Sequence, residues 1–92
     1  MTDLECAARF LGDDYLDDGV CVWRSGGGIL SDGDLLDALL RRAAEKALAP
    51  TVEGSKRWLC TLWPVKSEPY YGDGPTALAA FLAAIRAMEA KP

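Results

Sequence analysis

The segment Asp13-Asp14-Tyr15-Leu16-Asp17-Asp18-Gly19 places four carboxylates within seven residues, and the first chemistry to test is cation binding. A calcium loop of the EF-hand type needs oxygen ligands at its first, third and fifth positions, glycine at the sixth and a bidentate glutamate at the twelfth. Counting from Asp13 puts Tyr15 third and Asp18 sixth; counting from Asp14 puts Leu16 third and Ser25 twelfth. Neither register supplies the ligands, so the segment reads as an acidic loop in water. The run Ser25-Gly26-Gly27-Gly28 invites a phosphate loop, but that motif continues into Gly-Lys-Ser or Gly-Lys-Thr, and the chain has Gly54-Ser55-Lys56 instead. Cys6, Cys21 and Cys60 are odd in number, lack Cys-x-x-Cys spacing and sit among apolar neighbours. They read as reduced thiols that behave as small hydrophobes. The sequence contains no histidine. A zinc site would have to add a carboxylate to three thiols at spacings unlike the structural sites, and a Ser-His or Cys-His nucleophile is impossible. Only a carboxylate with a shifted pKa could act as a base near neutral pH, and no acid pair is spaced for that role. The expectation is a protein with no catalytic residue, no metal and no cofactor.

Charge is distributed unevenly. The first 37 residues hold nine acids and two bases, whereas residues 38–92 hold five acids and eight bases, within a net charge of −4. An acidic side of this kind steers basic partners toward itself and repels nucleic acid and anionic membranes. The predicted partner is therefore a protein, with no direct nucleic-acid contact and no membrane. Asp13, Asp14, Asp17 and Asp18 are the residues expected to carry the interaction.

Ninety-two residues, half of them apolar and 26% charged, make an ordinary globular composition for one domain spanning 1–92. No apolar run approaches the roughly 18 residues of a spanning helix. The N-terminal Met1-Thr2-Asp3-Leu4-Glu5 is acidic where a signal peptide is basic, so a cytoplasmic location is expected, that of the host cell if a phage encodes the chain.

The elements that must position these residues follow from periodicity. Thr2 and Glu5 fit a capping box, and Leu4, Ala7, Ala8 and Leu11 share one helical face that Gly12 terminates. Val20 to Arg24 is β-branched and aromatic and reads as a short strand before the glycine turn. Ser31 caps a second helix, with Asp32 and Asp34 in its first turn, apolar residues from Leu35 to Leu48 on one side, and Pro50 as its stop. Lys56 to Trp63 alternates as a strand that is apolar on both faces, which predicts cover on each. Trp58, Cys60 and Leu62 are expected toward the core. Pro64 and Pro69 leave Val65 to Tyr71 as an edge strand at most. A third helix over 75–90, introduced by Asp73 or Gly74, carries a stripe through Leu78, Phe81, Leu82, Ile85 and Met88, and the rest of it is largely alanine. Such a helix is either central in the domain or meets another chain through its small residues. Ala79, Ala83, Ala87 and Ala90 are the candidate self-association surface of a homodimer. Together the elements predict an α+β fold, a small antiparallel sheet layered with three helices in an α/β/α sandwich-like arrangement.

Leu4-Glu5-Cys6-Ala7-Ala8-Arg9-Phe10-Leu11-Gly12, the Ser31-Asp32 cap, the Trp58 to Leu62 strand, and Gly74-Pro75-Thr76-Ala77-Leu78-Ala79-Ala80 leading into an alanine-rich helix to Ala87 occur in an order that resembles the phage ABA sandwich domain family. The stretch 13–28 departs from that pattern. The resemblance implies a small phage or prophage protein, or a bacterial relative, on an α/β/α layered fold, and it brings no catalytic residues with it. The function expected is binding of another protein. In its sharpest form this is an anti-CRISPR-like inhibitor of a bacterial defence complex, whose carboxylates stand where nucleic-acid phosphates would sit. The alternative is a structural or accessory phage protein that oligomerises through the alanine-rich helix.

Overall fold

A computed structural model describes residues 3–90 and gives three helices and two antiparallel three-stranded sheets, an α+β fold. The Thr2 cap expected for the first helix lies outside the described residues.

Helix α1 (Asp3–Leu11) buries Cys6, Ala7, Ala8, Phe10 and Leu11. It ends at Gly12, whose φ of +113° is costly for a residue with a Cβ. The chain then forms a meander, strands β1 (Tyr15–Asp17), β2 (Val22–Arg24) and β3 (Gly28–Ile29) in the order β1-β2-β3. The segment expected to be an acidic loop thus contains a strand, because Tyr15, Leu16 and Asp17 pair with Arg24, Trp23 and Val22. Val22 and the half-buried Tyr15 join the core beneath this first sheet, which packs on α1.

Helix α2 (Asp32–Glu45) starts as expected, with the Ser31 hydroxyl accepting the Asp34 amide at 3.2 Å. Its end is not set by Pro50. The amide of Leu48 donates to the Ala43 carbonyl and that of Ala47 to Ala44, with Ala47 at φ +59°. That is a Schellman turn, sealed by the buried pair Ala43 and Leu48. Pro50 belongs instead to β4 (Ala49–Gly54), an edge strand, where a missing N–H is tolerated.

The second sheet runs β4-β5-β6, with β5 (Trp58–Trp63) central and β6 (Tyr70–Gly74) on the other edge. Helix α3 (Ala77–Ala90) lies across it and also touches α1 and α2. Its cap is Thr76, whose hydroxyl accepts the Ala79 amide at 3.1 Å, rather than Asp73 or Gly74. Helices therefore lie between the two sheets: the first sheet rests on α1, the second on α3, and α1 packs on α3. Cys60 and Leu62 are fully buried, as their register requires. The cover expected on both faces of β5 is present on one only, since Leu59 and Trp63 remain exposed. Trp58 points to the covered side but sits at the rim, 36% exposed, with its indole over Gly54.

Gly72 and Gly74 explain how an alanine helix seats on β6. A methyl group at Gly72 would fall on the Ala84 nitrogen and the Ala80 carbonyl oxygen, with the Ala83 carbonyl carbon 2.7 Å away; one at Gly74 would meet the Ala79 Cβ at 2.8 Å. Glycine facing alanine brings backbone onto backbone, and Ala80, Phe81, Ala84 and Ile85 are completely buried in consequence.

Candidate functional site

On the outer face of the first sheet, Leu16 stands opposite Trp23 and Trp23 opposite Ile29. These three large apolar side chains make one row across three strands, and they are 65%, 39% and 56% exposed. The alternation of a strand explains the placement: Val22 and Tyr15 serve the core, so their neighbours Trp23 and Leu16 face water.

Asp18 organises this face. Its backbone amide closes the β1–β2 turn on the Cys21 carbonyl at 3.2 Å. One carboxylate oxygen accepts the amides of Val20 and Cys21, each at 2.9 Å, and the other accepts the Trp23 indole Nε1–H at 2.8 Å and the Cys21 thiol at 3.8 Å. These donors, the Cys21 amide first and the indole next, favour the ionised form and hold the carboxyl at about 2. Of the four aspartates expected to meet a partner, Asp18 is thus turned into its own loop, where it fixes the indole.

The other three do not form one cluster. Asp13 and Asp17 line a shallow cleft of about 640 Å³ between α1 and β1, together with Glu5, Arg9 and Leu16. Asp14 lines a second cleft, about 630 Å³, between the first sheet and α2, which it shares with Asp34, Arg24 and Ile29. In that second cleft Arg41 bridges Asp37 at 3.2 Å, and Arg42 bridges Glu45 at 3.2 Å while donating from Nε to the Phe10 carbonyl at 3.1 Å. The apolar row runs between the two clefts, Leu16 bordering one and Ile29 the other.

The alanines expected on an external surface are divided. Ala79 and Ala83 are half-buried and their backbone lies against Gly74 and Gly72, Ala87 is half-buried, and Ala90 is exposed. The helix is central in the domain, and the close approach its small residues permit is made within the chain.

A second open surface was not singled out by the sequence reading. On the uncovered face of β4-β5-β6, Leu59, Trp63 and Tyr71 are exposed around the buried Thr61. At one border of that face Arg57 and Asp73 form an ion pair at 3.1 Å.

The three cysteines form no disulfide; Cys6 and Cys60 are buried and Cys21 is half-buried. Burial alone pushes Cys60 up to about 11. Cys6 is raised by burial and by its hydrogen bond with Glu89, and Cys21 by desolvation and by the Asp18 charge. A raised pKa disfavours the thiolate, the form in which cysteine acts as a nucleophile. Among the described residues, no group of three or more Cys, Asp and Glu side chains is placed to hold a metal ion, and no helix is long and apolar enough to cross a membrane.

No family model, curated protein or solved structure matches the chain.

Proposed function

We propose that this chain is a non-enzymatic binding module that acts by occupying a surface of another protein. The observation that carries the reading is the row Leu16, Trp23 and Ile29, exposed in register on a sheet whose other face completes the core. Cross-strand pairs of this kind stabilise a sheet by only about 0.2–1 kcal/mol each, whereas contiguous apolar groups rimmed by charge are the usual anatomy of a protein interface. The carboxylates beside the row keep the acidic character expected of such a module. Asp13, Asp14 and Asp17 remain the residues proposed to meet cationic groups, and Asp18 shapes the loop between them.

The sharpest form of the proposal is inhibition of a bacterial defence complex, with the carboxylates occupying a channel built for phosphates. Expression of the chain in a bacterium whose RNA-guided defence suppresses plaque formation tests it. Plaques should return with the wild type and be lost when Asp13, Asp14 and Asp17 are all changed to Asn. Suppression unchanged by the wild type refutes inhibition of that class of complex, and full activity of the triple variant refutes the role of the carboxylates.

A further inference from the structure

We infer that the row Leu16, Trp23 and Ile29 docks a protein segment in which an aliphatic or aromatic side chain is flanked on both sides by Lys or Arg, and that Asp18 is the positioning residue that holds the Trp23 indole for it. This rests on the protein-binding reading above and adds the chemistry of the partner.

The apolar part of the specification comes from the row itself. Leu16 and Ile29 stand on either side of Trp23, so the indole is the middle of the surface, where anchors of protein interfaces concentrate. The indole is not free to rotate, because its Nε1–H is bonded to a carboxylate that two backbone amides fix in turn. A side chain already held in one rotamer loses less freedom on binding than a mobile one, the general advantage of preorganisation.

The charged part comes from the two clefts. Beyond Leu16, Glu5, Asp13 and Asp17 stand with one base, Arg9. Beyond Ile29, Asp14 and Asp34 stand with Arg24, while Arg41 and Arg42 are already bridged to Asp37 and Glu45. Both ends of the row are therefore net negative, and an occupant with cations at matching spacing is favoured over an acidic one. The open face of β4-β5-β6 has less to recognise a cation at two ends: Arg57 and Asp73 pair with each other at its border, and Glu53 stands opposite Leu59.

The test is titration of the isotope-labelled chain, followed by amide and indole NMR shifts, with a synthetic peptide that has a Leu-Ala-Phe centre and two lysines at each end. Its twin with glutamate for every lysine serves as control. The basic peptide should shift the Trp23 indole and the amides of Leu16, Trp23 and Ile29, weaken with added salt, and exceed the acidic twin in affinity by about tenfold or more. Leu16→Ser and Ile29→Ser alter exposed positions outside the core, and each should weaken binding several-fold with the spectrum of β4-β5-β6 unchanged. Asp18→Asn keeps an acceptor for the Val20 and Cys21 amides but loses the one for the Trp23 indole. It should weaken binding in low salt and also in high salt, where loss of a charge alone is screened; binding equal to wild type in high salt overturns the positioning role. Equal binding of the acidic twin, or no shift with either peptide, overturns the proposal. Shifts confined to Leu59, Trp63 and Tyr71 also overturn it but leave the protein-binding reading standing on a different face.

Discussion

Adding a single methyl group at Gly72 tests the seating of α3 on β6, the contact on which the second sheet depends. The new Cβ meets backbone atoms of Ala80, Ala83 and Ala84, which no rotamer change can move aside. Overpacking a well-filled core costs about 1–3 kcal/mol, and here relief requires shifting the helix, which loosens Phe81 and Ile85 as well. We expect about 4 kcal/mol, at the upper end for single substitutions. A chain of this length is stable by about 5–14 kcal/mol, so Gly72→Ala should remove between about a third and most of that margin. With each kcal/mol worth about 4–8 °C in a domain of this size, the melting temperature should fall by 16 °C or more. Gly33→Ala is the matched control. The same methyl group, placed in α2 where it meets nothing within 4 Å, should stabilise by about 0.5 kcal/mol by reducing unfolded-state freedom. Thermal melts by circular dichroism, supported by urea titration, read both. A Gly72→Ala chain that melts within a few degrees of wild type, or no lower than Gly33→Ala, would refute the packing of α3 on β6.

Three further outcomes are expected. Ala47 lies at φ +59° in the turn that ends α2, so Ala47→Gly should raise stability by about 1 kcal/mol, read as a higher urea midpoint with unchanged slope. The Asp18 carboxyl is lowered in the folded state from 3.8 to about 2, so the folded chain binds that proton less tightly than the unfolded one. Its contribution is complete above about pH 4 and disappears as pH falls through 2; the difference in urea midpoint between wild type and Asp18→Ala should shrink across that window, and a difference that stays constant down to pH 2 would contradict the hydrogen bonds drawn to this carboxylate. With a thiol-specific chromogenic reagent at pH 8, only Cys21 should react in the folded chain, because Cys6 and Cys60 are buried, and all three should react in urea; rapid reaction of Cys60 without denaturant would contradict the covered face of β5.

The helices were legible because each carries a long 3.6-residue pattern, and the strand around Cys60 because it alternates. What escaped the sequence had local signals pointing elsewhere. Tyr15, Leu16 and Asp17 form a strand only through partners in β2, and three residues among acidic neighbours are too few to show a strand period. Ala49 to Gly54 pairs along its whole length with β5, although Pro50 reads as a stop. Asp18 carries a local signal of its role, since an aspartate side chain commonly binds the backbone amide two residues on, but the same residue also belongs to a group of four acids that reads as a charged surface. The alanines of α3 also had a readable counterpart in Gly72 and Gly74, two residues apart and hence on one face of a strand, where they admit a helix of small residues. The open face bearing Leu59, Trp63 and Tyr71 was hidden because an exposed apolar strand face and a covered one have the same sequence pattern.

Every strand in both sheets pairs with its immediate neighbour along the chain, so all six strands can form by hairpin closure. Long loops close elsewhere, where α3 reaches α1, as in the ion pair of Arg86 with Asp3 across 83 positions. Because closure entropy grows with loop length while hairpins avoid it, we expect the β4-β5-β6 meander with α3 to assemble first and the α1 contacts with their small sheet to join late. The surface bearing Trp23 would then be the last part of the chain to order and the first to open. Amide exchange checks this: protection should be lower at Leu16, Trp23 and Ile29 than at Cys60 and Leu62, and uniform protection across both sheets would mean that the molecule opens as a single cooperative unit.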